Sequence, residues 1–264
     1  MIVLDHELSE PRRCAYLKQE TAVSEELFVE SMSLEEYQEL MNSGWRRFGH
    51  AVYRPRCPSC DACRALRIAV DRFTPNRSQR RTRARNEGVV TLEVGEPQVD
   101  GERIDLYNRF HAARSRTRQW DDKDETNSWN YAFAFAVNPI PTAEYRYRLD
   151  GKLVGVGYVD ELPEALSAIY FLHDPDHADR NLGTWNVLNV IERARSLNRP
   201  WVHLGYYVSE CLSLAYKASF QPYELLEPGG GGWTQPSLPR RPGRDDGSPP
   251  FNAVSPRDVA ENPQ

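Results

Sequence analysis

Several things are missing from this sequence, and each absence closes off a class of protein. No apolar run approaches the roughly 18–20 residues that a helix needs to span a bilayer, so no membrane partner is expected. The opening MIVLDHELSEPRR lacks a basic stretch followed by an apolar core. No secretory signal is read there, and the expected location is cytoplasmic. Cysteine is sparse, with five in 264 residues, and three of the five stand at 57, 60 and 63 as CxxCxxC. In a reducing compartment an odd count with that spacing points to metal ligation or free thiols, away from a disulfide framework. Aromatic and apolar material is plentiful: six Trp, thirteen Tyr, nine Phe and 40% hydrophobic residues. That is enough for a packed core in one large domain or two modest ones.

The net charge of -5 is unevenly spread. Trp45 to Gly88 carries twelve Arg against Asp61, Asp71 and Glu87, a local balance of +9, whereas residues 1–44 hold three basic and ten acidic residues. Local distribution matters more than the sum, so this cationic, cysteine-bearing module is suited to gripping an anion. Arg46, Arg47 and Arg67 alternate with aromatic and apolar residues, and guanidinium forks hold carboxylates or phosphates at two points. Arg77, Arg80 and Arg81 belong to a denser run, 77–85, which suits a phosphate backbone where each contact releases counterions. A solvated cationic face is the plainer alternative.

Elements can be read in order. Val23 to Met32 suits a strand. SLEEYQELMNSG (33–44) predicts a helix with Ser33 and Glu36 as a capping box and Gly44 as its stop. Strands are expected at 51–53 and 66–70, a basic helix from Ser78 to Arg85, a strand at 91–94, and a helix in ERIDLYNRFHAARSR (102–116). The stretch 117–128 reads as an exposed acidic loop, and 129–137 as an aromatic helix. A hairpin turning at Asp150-Gly151, a strand at 168–172, a helix over 184–197 and a buried strand at 201–206 follow. The last 37 residues contain eight Pro and six Gly, so 228–264 is expected to be disordered. The expected division is 1–88 as a cysteine- and arginine-rich subdomain, 89–227 as the main domain, and the tail. The fold class is α+β.

Three sulfurs cannot close a tetrahedral site. Cys14, in the RRCAYL island, is the natural fourth, so Cys14, Cys57, Cys60 and Cys63 are the candidate ligands for structural zinc or an iron–sulfur cluster. The alternative is four small buried side chains without metal. Cys211, alone in YYVSECLSLAY, is read as core. The free N–H groups at the start of the 184–197 helix, beside Asn181 and Gly183, could receive a phosphate.

These pieces together resemble the aminoacyl-tRNA–protein transferases, the arginyltransferases and the bacterial aspartate/glutamate leucyltransferases. The matching segments are CAYL (14–17), GWRR (44–47), VYRPRC (52–57), CPSCDACRALRI (57–68), RFTPNRSQRR (72–81), YVDELP (158–163), FLHDPDH (171–177), NLG (181–183), HLGYYVSEC (203–211) and AYKASFQPYELL (215–226). The resemblance implies an acetyltransferase-like (GNAT-type) mixed sheet with helices, beside an N-terminal cysteine-bearing subdomain. It implies transfer of leucine or arginine from charged tRNA to proteins beginning with Asp or Glu, which marks them for degradation.

On that reading Arg46, Arg47, Tyr53 and Arg67 meet the acidic N-terminus. Arg77, Arg80, Arg81, Asn181, Gly183 and Lys217 meet tRNA. The ester donor is already activated, so no cofactor is required for transfer, and positioning can supply much of the rate. Asp174, Asp176 and Glu192 are candidate general bases for an amine whose solution pKa is about 8. Two departures stand out. Residues 117–129 read TRQWDDKDETNSW where the leucyltransferases carry a Gly-Ser-Met-Tyr-Pro-like segment, and Asn181 replaces the usual Ser. An acidic loop near the donor could favour arginine. The rival readings are an acyl-CoA N-acetyltransferase, against which the missing Gly-x-Gly run counts, and a zinc-knuckle RNA-binding protein, which would leave the second half of the chain without a task.

Overall fold

The computed structural model describes residues 1–118 and 125–236. The chain opens with β1 (Ile2–Leu8), a short pair β2 (Arg12–Arg13) and β3 (Thr21–Ala22), and β4 (Ser24–Ser31). Helix α1 (Leu34–Asn42) starts at the expected capping box: the Ser33 hydroxyl accepts the Glu36 N–H and the Glu36 carboxylate accepts the Ser33 N–H. Strands β5 (Arg46–Phe48) and β6 (Ala51–Pro55) complete a four-stranded antiparallel sheet in the order β1-β4-β6-β5. Pairing β4 with β6 sets the acidic stretch against the basic one. Glu25 lies opposite Arg54 and also takes Arg56, at 2.7 and 2.8 Å.

After β7 (Arg64–Ala69), helix α2 (Arg77–Asn86) begins at a second capping box, Asn76 with Gln79. Then come β8 (Val90–Gly95), α3 (Gly101–Arg118), α4 (Ser128–Tyr131) continuing into a π-helical turn at Ala132–Ala136, and the hairpin of β9 (Ala143–Leu149) and β10 (Lys152–Glu161). Asp150 and Gly151 both have positive φ, 50° and 79°, as a two-residue hairpin turn requires. Strand β11 (Ala165–His173), a 3-10 turn at Pro175–Arg180, α5 (Leu182–Ser196), β12 (Trp201–Tyr207), α6 (Leu212–Ala215), a 3-10 turn at Tyr216–Ser219, β13 (Tyr223–Leu226) and β14 (Trp233–Thr234) follow. The large sheet has eight strands in the order β14-β13-β7-β12-β11-β10-β9-β8. All neighbours are antiparallel except β11 and β12, which α5 connects.

Two expectations change. β7 lies inside the large sheet between β13 and β12, so the sheet draws strands from both sides of residue 88. Its alternating apolar residues Leu66 and Ile68 are fully buried in the main core, which a strand on a separate subdomain could not achieve. The Pro/Gly-rich tail is also ordered at its start, because β14 pairs with β13 and brings Trp233 against the core. The rest of that expected tail, and the centre of the expected acidic loop at 119–124, lie outside the described residues.

The two sheets are joined by a buried ion pair. The Arg47 guanidinium on β5 donates to both oxygens of Asp160 on β10, at 3.0 and 2.5 Å, and its remaining N–H groups reach Gly49 O, Asn138 Oδ1 and Thr142 Oγ1. Both side chains are fully buried. This full occupation removes Arg47 from the acceptor-binding candidates. Removing one partner strands the other charge, so Asp160→Ala is expected to cost about 3–5 kcal/mol of stability, read by urea denaturation.

Candidate active site

Twelve arginines lie between residues 45 and 88, and the structure sorts them by partner. Arg47, Arg54, Arg56, Arg64, Arg67, Arg72, Arg83 and Arg85 each face a carboxylate. Among the described residues, Arg46, Arg77, Arg80 and Arg81 face none. Those four fall in two places.

Arg46 is buried beneath the junction of the two sheets, 4% exposed. One terminal nitrogen donates to the carbonyls of Met41 and Trp45, at 3.1 and 2.5 Å, and the other to His203 Nδ1 on β12 at 3.3 Å. Its Nε has no partner. Burial pulls its pKa down, because no anion repays the lost hydration. His203 is fully buried, and burial together with Arg46 and Arg67 holds its pKa well below the usual value. Since Nδ1 accepts from Arg46, the proton sits on Nε2, which is also unpartnered.

Lys217 is a second buried cation beside Arg46. Its ammonium donates to Tyr206 O at 2.6 Å, and burial, then Arg46, lower it to about 8. Arg67 holds Glu224 at 2.7 Å and lies between the rings of Trp201 and Trp233, at 3.7 and 4.3 Å. Tyr53 and Tyr206 close the group, 6.2 Å apart between ring centres. Buried cations lacking an anion form an electrostatic socket for a carboxylate.

Beside the socket the large sheet opens. β11 and β12 pair only over Ala165–Ser167 with Trp201–His203. Beyond that, β11 stays with β10 as far as His173, and β12 stays with β7 as far as Tyr207. A bulge in β12, with Gly205 at φ 76°, turns the Tyr206 carbonyl toward Lys217. Diverging carboxyl ends of neighbouring parallel strands, with a helix N-terminus at the rim, are where open sheets of this kind take ligands. The rim here is α5. Its N-cap Asn181 is left-handed, φ 52°, and gives no side-chain cap, so the first N–H groups face outward.

Helix α2 borders the opening. Asn76 and Gln79 donate to Ser219 O at one end, and Asn86 donates to Arg180 O at the other. Gln79, Thr82 and Asn86 are buried, which leaves Arg77, Arg80 and Arg81 exposed on the outer side. The expected tRNA-binding set is thus spread along the rim: Arg77, Arg80 and Arg81 are exposed toward the first half of α2, Asn181 and Gly183 lie at the start of α5 beside the last turn of α2, and the Lys217 ammonium is turned inward to the socket.

Comparison with known proteins decides the family. The N-terminal model of arginine-tRNA-protein transferases matches residues 12–81 and the C-terminal model matches 102–227. This chain belongs to the aminoacyl-tRNA–protein transferases. It is 35% identical over 229 residues to an aspartate/glutamate leucyltransferase of Aeromonas hydrophila, covering 85% of this chain and 93% of that one. The enzyme of the same name from Nitrosococcus oceani is 37% identical over 84% of this chain and 93% of the relative, and that from Pseudomonas putida is 36% identical over 83% and 92%. Among the described residues no helix is long and apolar enough to cross a membrane.

The transferase places the three expected general bases elsewhere. Asp174 caps the 3-10 turn after β11. Burial alone would raise its carboxyl, yet hydrogen bonds from Arg109, the Asp176 N–H and Lys152 outweigh this and hold it at about 2. Glu192 is an exposed residue of α5 engaged by Arg83 and Arg195, at 2.7 and 3.0 Å. Asp176 is exposed. Charge-assisted hydrogen bonds hold both Asp174 and Glu192 below the usual carboxylate range.

All five cysteines are free and half-buried. Cys14 Sγ accepts the N–H groups of Tyr16 and Leu17 at 3.4 Å, and burial with the neighbouring thiols pushes Cys63 up to about 12. Among the described residues no group of three or more His, Cys, Asp or Glu is arranged to hold a metal ion. Cys14, Cys57 and Cys60 nevertheless all lie near enough to Cys63 to raise its thiol. Cys211, read as core, instead lies near Cys63 and Lys217.

Sequence reading missed His203, Tyr206 and Trp233. A buried His in the apolar strand WVHLGYY was the one available signal for the first. Lys217 carries a pH signature. Its folded pKa of about 8 lies below the ordinary 10.5, so between those values the unfolded chain binds more protons and stability rises with pH. The transferase should gain roughly 1–3 kcal/mol relative to Lys217→Met between pH 8 and 10, measured by chemical denaturation across that range. Asp176→Asn and Glu192→Gln are expected to leave kcat/KM for transfer unchanged, in steady-state assays.

Proposed function

We propose that this transferase moves leucine from leucyl-tRNA to the α-amine of proteins that begin with Asp or Glu, and so marks them for degradation. The observation that carries this reading is the socket of Arg46, His203 and Lys217, three buried nitrogen groups with no acid of their own. An acceptor's side-chain carboxylate supplies the missing anion. Leucine is favoured as donor by the relatives' named activity.

The large sheet, with its parting strands and crossover helix, is read as acetyltransferase-like. The aminoacyl end of the donor enters between β11 and β12, its terminal phosphates reach the uncapped start of α5, and the acceptor stem follows Arg77, Arg80 and Arg81 along α2. α2 has ten residues, so it spans about 15 Å of that path. The ester is already activated, and the transferred bond changes from ester to amide as the tRNA 3′ oxygen departs. Holding amine and ester together supplies much of the rate. Lys217, poised near the pKa of the incoming α-amine, is the residue best placed to share its proton. The cysteine knuckle holds the shape of the socket's outer side, and metal analysis of anaerobically prepared protein would show whether it also takes zinc or an iron–sulfur cluster.

With labelled leucyl-tRNA and peptides beginning with Asp or Glu, label should pass to the peptide, and Arg46→Ala should raise the KM of acidic acceptors by tenfold or more, as expected when a buried charged hydrogen bond is removed. Absence of transfer would remove the activity, and an unchanged KM would remove the socket. Combined Arg77→Glu, Arg80→Glu and Arg81→Glu should weaken tRNA binding and flatten its salt dependence by roughly one log-log unit for each phosphate no longer held, read by filter binding at several salt concentrations.

A further inference from the structure

Arg46, His203 and Lys217 are 4%, 0% and 9% exposed. A carboxylate can reach them only if something over them moves. β14, beside His203 and Arg67, is lightly held in the sheet. It has two residues, is joined to β13 only at Leu225–Thr234 and Leu226–Trp233, and is preceded by Gly229–Gly232. Three of those glycines have φ of 74°, 83° and 110°, so the approach to β14 uses backbone that other residues adopt poorly. β14 carries Trp233. Its ring lies 4.3 Å from the Arg67 guanidinium and 5.3 Å, edge to face, from His203, and its indole N–H donates to Asn42 O at 3.2 Å.

We propose that Trp233 on this glycine strap is the gate that controls access to the acceptor socket. Closed, it keeps water from Arg46 and His203. Opening it breaks the stacking on Arg67 and the indole hydrogen bond. A carboxylate offsets that loss by filling the socket's unpartnered donors with charge-assisted bonds. The cost of opening is the same for every acceptor, so it lowers kcat/KM for all of them alike, while the charge of the socket sets the preference for a carboxylate over an amide. The proposal rests on the socket being the acceptor site.

Gly231 offers an independent handle. It lies outside the positive-φ region, and a Cβ there would meet Glu227 Cβ at 3.4 Å, an ordinary contact. Alanine is therefore compatible with the closed strap while narrowing the open one.

The test measures kcat/KM for peptides that begin with Asp and with Asn, using labelled leucyl-tRNA and the full-length enzyme. Trp233→Ala is expected to raise kcat/KM for both peptides by roughly three- to tenfold with their ratio unchanged, with Trp233→Phe in between. Gly231→Ala is expected to lower kcat/KM for the Asp peptide about two- to fivefold, with kcat unchanged. Circular dichroism confirms that each variant is folded. A kcat/KM for the Asp peptide in Trp233→Ala no higher than the parent enzyme's, together with an unaffected Gly231→Ala, overturns the gate. Arg46→Ala separates the two levels: if it abolishes the acidic preference while Trp233→Ala fails to raise kcat/KM, only the gate fails, and if it leaves the preference intact, the socket fails with it.

Discussion

The fully buried pair of Arg47 with Asp160 is the constraint on which the site depends. Neighbouring residues on a strand point to opposite sides. Once Arg47 is fixed by five hydrogen bonds, two of them to Asp160 on β10, Arg46 has one direction left, toward His203 on β12. A buried ion pair is weak evidence for stability in itself, because desolvation cancels much of the attraction. Here it sets the register between two sheets, and that register decides which guanidinium is satisfied and which is left without an anion.

The contrast between adjacent arginines is the chemical core of the protein. Arg47 is neutralised and structural. Arg46 is buried at a cost that only carbonyls and an imidazole reduce, and such uncompensated groups concentrate where a ligand completes them. The same division runs through the basic module. Glu25 binds Arg54 and Arg56, and Glu224 binds Arg67 and Arg72, so much of the local positive charge holds the acidic N-terminal sheet and β13 in place. The cations left over lie at the socket and along α2, on the two sides of the opening between β11 and β12. A reaction that needs a nucleic acid and a protein terminus brought to one carbonyl has use for that separation.

Much of the fold was legible because its signals are local. The capping box at Ser33–Glu36, the turn at Asp150-Gly151 and the strand-forming runs of β10, β11 and β12 each arise within a few residues, and the structure forms each of them. Arg46 was among the readable candidates, and so were Arg77, Arg80 and Arg81. The general bases were not legible, because Asp174 and Glu192 are ordinary acids in sequence and their arginine partners are 65 and 109 residues away. Lys217 has the sequence signature of a surface cation, because nothing near it in the chain reveals that its ammonium turns inward.

By itself the sequence determined the elements, the family and the existence of a cationic module, since propensity, capping and motif spacing are properties of neighbouring residues. Tertiary structure alone decided which arginines are spent on Asp160, Glu25, Glu192 and Glu224 and which remain for substrates, because those pairings join strands and helices from opposite ends of the chain. It also decided that Trp233, in a stretch whose composition promised only disorder, packs over Arg67. A lone aromatic after four glycines has no local partner to order it, and β13 becomes its neighbour only after the large sheet has formed.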